Sequence, residues 1–159
     1  MRLSFVALFA LMTASLSYAA DISIVRVWPA YRPAESFERI SEYFGKDEDP
    51  ATHHVFRTQA TQRAGYYFLV RLKNAAIPVT GARVELNIVT PFSTETRTFN
   101  FTCDLPKGSQ AFHFGLTGSD WPGEPKDEAV AWQVRVLNAE GAELAAAQSY
   151  LWATPPQKK

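Results

Sequence analysis

From about Gly65 onward, apolar and polar residues alternate at every second position along most of the chain. The segment YYFLVRLKN, for example, places Tyr66 and Phe68 on one face and Arg71 on the other. Such alternation is typical of antiparallel strands that cover a core with one face and meet water with the other. The segments with this pattern are YYFLVRLKN, ARVELNIVTP, TRTFNFTC, QAFHFGL, AVAWQVRVLN and ELAAAQSYLW. They predict six strands of an all-β protein.

The apolar positions of these segments form the predicted core face, and DISIVRVW, ending at Pro29, adds a seventh strand. Turn residues such as Pro106-Lys107-Gly108 separate the strands. The predicted core residues are Tyr66, Phe68, Val70, Leu72, Val84, Leu86, Ile88, Phe99, Phe101, Cys103, Phe112, Phe114, Leu116, Val130, Trp132, Val134, Val136, Leu144, Tyr150 and Trp152. Seven short strands joined by turns predict a seven-stranded antiparallel sandwich.

One segment departs from the strand pattern. In RPAESFERISEYFG, the residues Phe37, Ile40 and Phe44 have helical spacing, and Pro33 suits a helix start. The spacing predicts one short inserted helix at about 34–44. The connection that follows it is long, and a short strand at HVFRT would interrupt it.

The strand count and the closing hairpin AWQVRVLNAEGAELAAAQSYLW resemble an immunoglobulin-like or fibronectin-III-like sandwich of exported bacterial proteins. The resemblance spans about residues 65–152, lies at the superfamily level and implies no particular functional residue. The Cys…Trp…Cys signature of antibody domains is absent, because Cys103 is the only cysteine. Domains of this kind serve mostly in binding, spacing or assembly.

The N-terminus has the pattern of a secretory signal. Arg2 precedes an apolar run, and small residues end at Ala20, which predicts a signal peptide over 1–20 and export to the periplasm or the exterior. No cysteine lies near the junction, so we do not expect a lipoprotein. The mature domain is predicted at 21–153, with a disordered tail at 154–159.

Charge and cysteine content exclude several classes of protein. Removal of Arg2 with the signal leaves 15 basic against 16 acidic residues, without a basic cluster, so neither nucleic acid nor an anionic membrane is an expected partner. The mature chain has no second apolar stretch long enough to span a membrane. A single cysteine forms no internal disulfide, and the alternation around Cys103 favours a buried thiol over a reactive one.

His53 and His54 are the most conspicuous candidates for a metal or catalytic site. Adjacent residues of an extended chain point to opposite sides, so the pair does not grip one ion easily. The acidic run at 47–49 lacks the central glycine and distal glutamate of a calcium loop. We therefore expect no metal and no other cofactor.

No catalytic motif is present either. The sequence contains no G-x-S-x-G, H-E-x-x-H or glycine-rich phosphate loop. A Ser–His–Asp set can be assembled from distant residues of almost any protein, so its availability carries no weight. We expect no catalytic residues and no enzymatic activity.

Aromatic residues remain, and Trp121 differs from the rest because it lies in the loop LTGSDWPGEPKDE. An aromatic ring in such a loop contacts a partner or sugar, or folds back to plug the end of the sandwich. If the loops 46–64 and 117–128 reach the same end, a binding site is predicted from Trp121 with some of His53, His54 and Arg57.

The sequence thus favours an exported, non-enzymatic binding or assembly module with an unknown protein or glycan partner. The alternative is a small carbohydrate-binding or hydrolytic periplasmic protein that uses the 46–64 and 117–128 loops. A concave pocket that gathers polar groups from both loops would favour a ligand site, whereas a flat or convex end would favour a protein contact.

Overall fold

A computed structural model describes residues 21–37 and 54–153. The strands are β1 (Ile22–Arg32), β2 (His54–Arg57), β3 (Gly65–Asn74), β4 (Val79–Thr90), β5 (Ser93–Leu105), β6 (Gly108–Thr117), β7 (Ala131–Leu137) and β8 (Glu143–Gln148). A 3-10 turn covers Gly118–Asp120, a short helix covers Tyr150–Ala153, and residues 35–37 are helical.

The strands form two sheets of four, in the orders β1-β3-β6-β2 (sheet A) and β5-β4-β7-β8 (sheet B). This architecture confirms the predicted all-β sandwich with a short helix. The described strands number eight instead of seven, because HVFR forms β2, and β2 pairs with β6 in parallel rather than antiparallel. β1 packs beside β8, which closes one side of the sandwich.

The core lies where the two inner faces meet, and the alternation identified most of it. Phe68, Val70, Val84, Ile88 and Leu116 are fully buried. The rings of Phe101 and Phe114 join the two sheets, with their centroids 5.1 Å apart. Burial of this many large apolar side chains, each worth about 1.5–3 kcal/mol, is the main source of stability.

Two predicted core residues are exposed instead. Val130 is 45% exposed and Tyr150 is 84% exposed. β7 begins only at Ala131, after Val130, and β8 ends at Gln148, so neither residue lies within a strand. At Ser149 the chain turns, since its side chain accepts a hydrogen bond from the Trp132 N–H and a helical turn follows. The alternation pattern continues past the ends of β7 and β8, and it therefore assigned Val130 and Tyr150 wrongly to the core.

Several predictions fall on residues outside those the structure describes. These are the signal peptide at 1–20, the helix beyond residue 37, the acidic run at 47–49, His53 and the tail at 154–159. Within the described ranges, no helix is long and apolar enough to cross a membrane.

The outer face of sheet B carries a polar network across its strands. Asn87 accepts a hydrogen bond from the Thr98 hydroxyl and donates to Glu85 and Gln133. Arg135 bonds Glu85 at 2.9 Å. The pKa of Glu85 is lowered, first by the hydrogen bond from Asn87 and then by Arg135, with burial opposing the shift. These polar side chains therefore form hydrogen bonds with one another.

The single thiol behaves as the alternation predicts. Cys103 is buried on the inner face of β5, at 6% exposure. Burial, and to a lesser degree the charge of Asp104, raises the pKa of Cys103 to about 12. Since the thiolate is the reactive form, this thiol is unreactive near neutral pH.

Candidate functional site

The loops that the sequence analysis proposed for binding lie together at one end of the sandwich. We call this end the loop end; it comprises residues 58–64, 90–93, 117–130 and 149–153. Here β4 turns into β5, since Thr90 pairs with Ser93. The Val130 N–H bonds the Val89 carbonyl beside this turn, at 2.9 Å. Sheet A contributes the start of β3, where Gly65 pairs with Thr117.

The described part of the 46–64 connection meets the 117–128 loop at this end. The Gln59 N–H donates to the Thr117 hydroxyl at 3.0 Å, and the Thr117 N–H donates to the Thr58 hydroxyl at 3.0 Å. The Gln59 side chain donates to the Ser119 hydroxyl at 2.7 Å. The two loops therefore reach the same end, as the proposed site requires, but these polar groups bond to one another.

Trp121 lies inside the sandwich end and is only 4% exposed. Its ring stacks on Tyr66 with centroids 4.2 Å apart, and the edge of Phe92 meets it at 5.8 Å. Its indole N–H is buried and has no hydrogen-bond partner among the described residues. It faces Gly123, where an added Cβ would lie 2.9 Å from the indole nitrogen. Trp121 thus occupies the plug position, with its ring unavailable for stacking against a ligand in this conformation.

Arg57 lies on the outer face of sheet A. Its Nε donates to the Tyr67 hydroxyl at 2.8 Å, and its guanidinium lies 4.9 Å from the centre of the Phe37 ring. Tyr67 in turn donates to the Arg63 carbonyl at 2.6 Å and contacts Phe37. Burial is the main cause that raises the pKa of Tyr67, against the hydrogen bond from Arg57. Arg57 therefore fastens the segment after β1 onto the sheet.

His54 lies on the opposite face of the same short strand. Its ring stacks on Phe112 with centroids 5.0 Å apart, at the rim of the core. Side chains of a strand alternate between faces, so His54 and Arg57, three positions apart, cannot face the same space. Trp121, His54 and Arg57 are thus held in three separate environments, and the structure does not bring them together as one site.

An exposed apolar surface at the loop end was not identified from the sequence. It consists of Phe92, Val130, Tyr150 and Leu151, which are 48%, 45%, 84% and 57% exposed, and we call it the apolar patch. Strand pairing places all four where β4 and β8 end and where β5 and β7 begin. The signal was present in the sequence, because Pro91 and Ser149 mark the ends of strands, but strand parity alone assigned Val130 and Tyr150 to the core.

Among the described residues, no group of three or more His, Cys, Asp or Glu side chains could hold a metal ion. A small cavity of about 10 Å³, room for one water molecule, lies at the opposite end beside Asn74, Leu105 and Phe112. Large contiguous apolar patches are typical of interaction surfaces, whereas single exposed apolar residues are ordinary.

No protein-family model matches the sequence, and no curated protein is significantly similar to it. The functional conclusion therefore depends on the geometry of the loop end and of the strands that support it.

Proposed function

We propose that this chain is an exported, non-enzymatic binding or assembly module that contacts a protein partner through the apolar patch. The observation that supports it is that four of the six large apolar side chains exposed among the described residues lie at this end: Phe92, Val130, Tyr150 and Leu151. The other two, Val25 and Ile77, lie elsewhere. Isolated exposed apolar residues are normal, but a cluster on loops held by a rigid scaffold is typical of an interaction surface.

A protein surface fits the patch better than a sugar. Val130 and Leu151 are aliphatic, whereas sugar recognition needs aromatic faces with polar groups that converge on the ligand. Two of the polar groups nearby are committed elsewhere: Asp120 binds Arg97 at 2.8 Å, and Ser149 accepts the Trp132 N–H. The immunoglobulin-like resemblance is compatible with this role, since such sandwiches commonly serve in assembly.

The contact is tested by site-specific photo-crosslinking in the producing cells. A photo-reactive residue at Leu151 in the full chain is expected to give a discrete protein adduct. The same residue at Lys73, exposed on β3 near the opposite end, is the control and is expected to give none. Mass spectrometry of the adduct identifies the partner.

A second variant separates a specific contact from chance collision. Val130→Asp adds a charge to the patch, and because Val130 is exposed we expect little loss of stability but loss of the Leu151 adduct. Equal adducts at Leu151 and Lys73, or a Leu151 adduct unchanged by Val130→Asp, would refute the patch as the contact surface.

Export is a separate part of the proposal. We expect the mature protein to begin at Ala20 or Asp21, because small residues precede this junction after a short apolar run. N-terminal sequencing of protein recovered from the periplasm or medium checks this. An intact Met1 on the recovered protein would overturn it.

A further inference from the structure

The second surface of interest is the free edge of β5. This strand has 13 residues, is the longest described, and lies at the edge of sheet B with β4 as its only paired neighbour among the described strands. An edge strand presents unpaired backbone N–H and C=O groups that can pair with another chain. Proteins usually protect long edges with proline, lysine or bulges. β5 contains neither proline nor lysine, and the irregularities in its pairing with β4 lie between Ser93 and Arg97 and between Cys103 and Leu105, outside residues 98–102.

The sequence of β5 is symmetric about one residue. Residues 98–102 read T-F-N-F-T, a palindrome centred on Asn100. Thr98, Asn100 and Thr102 are exposed on the outer face, while Phe99 and Phe101 point inward, with Phe99 only partly buried. A twofold axis through Asn100 would therefore pair β5 with β5 of a second copy. Over residues 98–102, each residue would then lie opposite a residue of the same type.

The pairing that this axis creates is favourable over residues 98–102. In antiparallel register about Asn100, Thr98 lies opposite Thr102 of the second copy, and Phe99 lies opposite its Phe101. Opposed Thr–Thr and aromatic pairs each stabilise a sheet, by about 0.2–1 kcal/mol. The charged residues do not oppose like charges: Arg97 meets Cys103, and Asp104 meets Thr96. No repulsive pair blocks the register.

We propose that the chain forms a homodimer by antiparallel pairing of β5 with β5 of a second copy, centred on Asn100. The two copies of sheet B then form one continuous eight-stranded sheet, and the edge is covered by an isologous contact. The residues that pair around Asn100 do not include those of the apolar patch, so the proposal does not depend on the proposed function of the patch.

Cysteine crosslinking tests the register directly. In the dimer, Asn100→Cys places two thiols on opposed residues with Cα atoms about 4.5–5.5 Å apart, within the range of a disulfide. Mild oxidation of the purified mature protein is expected to convert most of it to a covalent dimer. Thr96→Cys is the matched control on β5: in this register it opposes Asp104 and not a second thiol, so the variant is expected to dimerise without forming a disulfide-linked dimer. Native Cys103 is buried and does not compete.

Sedimentation of unmodified protein gives the second measurement. We expect a concentration-dependent dimer, weakened about tenfold or more by Asn100→Asp, which opposes two carboxylates across the axis. Asn138→Asp in the β7–β8 turn adds the same charge and keeps the acceptor of the Ala142 N–H, so it is expected to dimerise normally. A monomer at millimolar concentration, or equal crosslinking at residues 96 and 100, would overturn the proposal.

Discussion

Replacement of Trp121 by alanine is expected to lower the free energy of unfolding by about 3–5 kcal/mol. The residue is 4% exposed and stacks on Tyr66, so its removal leaves a cavity between the sheets that neighbouring side chains fill only in part. The indole contributes through apolar burial and stacking. Its N–H has no partner among the described residues, and so adds a desolvation cost instead of a gain.

Urea unfolding of the mature protein measures this effect. Tyr150→Ala is the matched control at the same end of the sandwich: it removes an aromatic ring that is 84% exposed, and we expect a change within about 0.5 kcal/mol. Trp121→Phe, which keeps a ring and removes the unpaired N–H, is expected to cost less than Trp121→Ala. A loss below about 1 kcal/mol for Trp121→Ala would show that Trp121 does not plug the sandwich end and would restore it as a contact residue.

Gly115→Ala is expected to cost about 2–3 kcal/mol, large for a single added methyl group. Gly115 lies opposite Tyr67 on β3 and opposite Arg57 on β2. An added Cβ would lie 2.7 Å from the Tyr67 Cζ atom, so the ring must move. Movement of the ring breaks the hydrogen bonds that its hydroxyl makes to Arg57 and Arg63.

A double-mutant cycle assigns this cost to the tyrosine ring. Tyr67→Ala removes the atoms that the new methyl group meets, so Gly115→Ala in that background is expected to cost less than about 1 kcal/mol. The coupling between the two positions is then at least about 1–2 kcal/mol, as for residues in contact. Equal costs in both backgrounds would mean that the methyl group disturbs the backbone of β6, and that Gly115 does not serve to admit Tyr67.

The two variants separate the roles of two aromatic residues that the sequence could not distinguish. Trp121 lies in a polar loop, yet its ring is in the core. Tyr67 lies at an outward position of a strand, yet it is 1% exposed because Phe37 and Arg57 cover it. Both cases depend on chain segments that are distant in sequence.

The sequence alone determined the strands and most of their inner faces. Alternation of period two reports the two sides of a strand directly, so Tyr66, Phe68, Val84 and Phe112 were assigned correctly to the core, and a two-sheet sandwich followed. The same rule assigned Val130 and Tyr150 wrongly to the core, because alternation does not show where the backbone hydrogen bonds between two strands end.

Tertiary structure alone decided which residues share a surface. Parallel pairing of β2 with β6 set His54 on Phe112 and Arg57 on Tyr67, on opposite faces, and so separated two residues that lie close in sequence. Pairing also brought the apolar patch together from residues nearly 60 positions apart. Backbone pairing between strands is long-range, and any single strand pattern is compatible with many partners, so the positions of loops and edges follow only from the completed sheets.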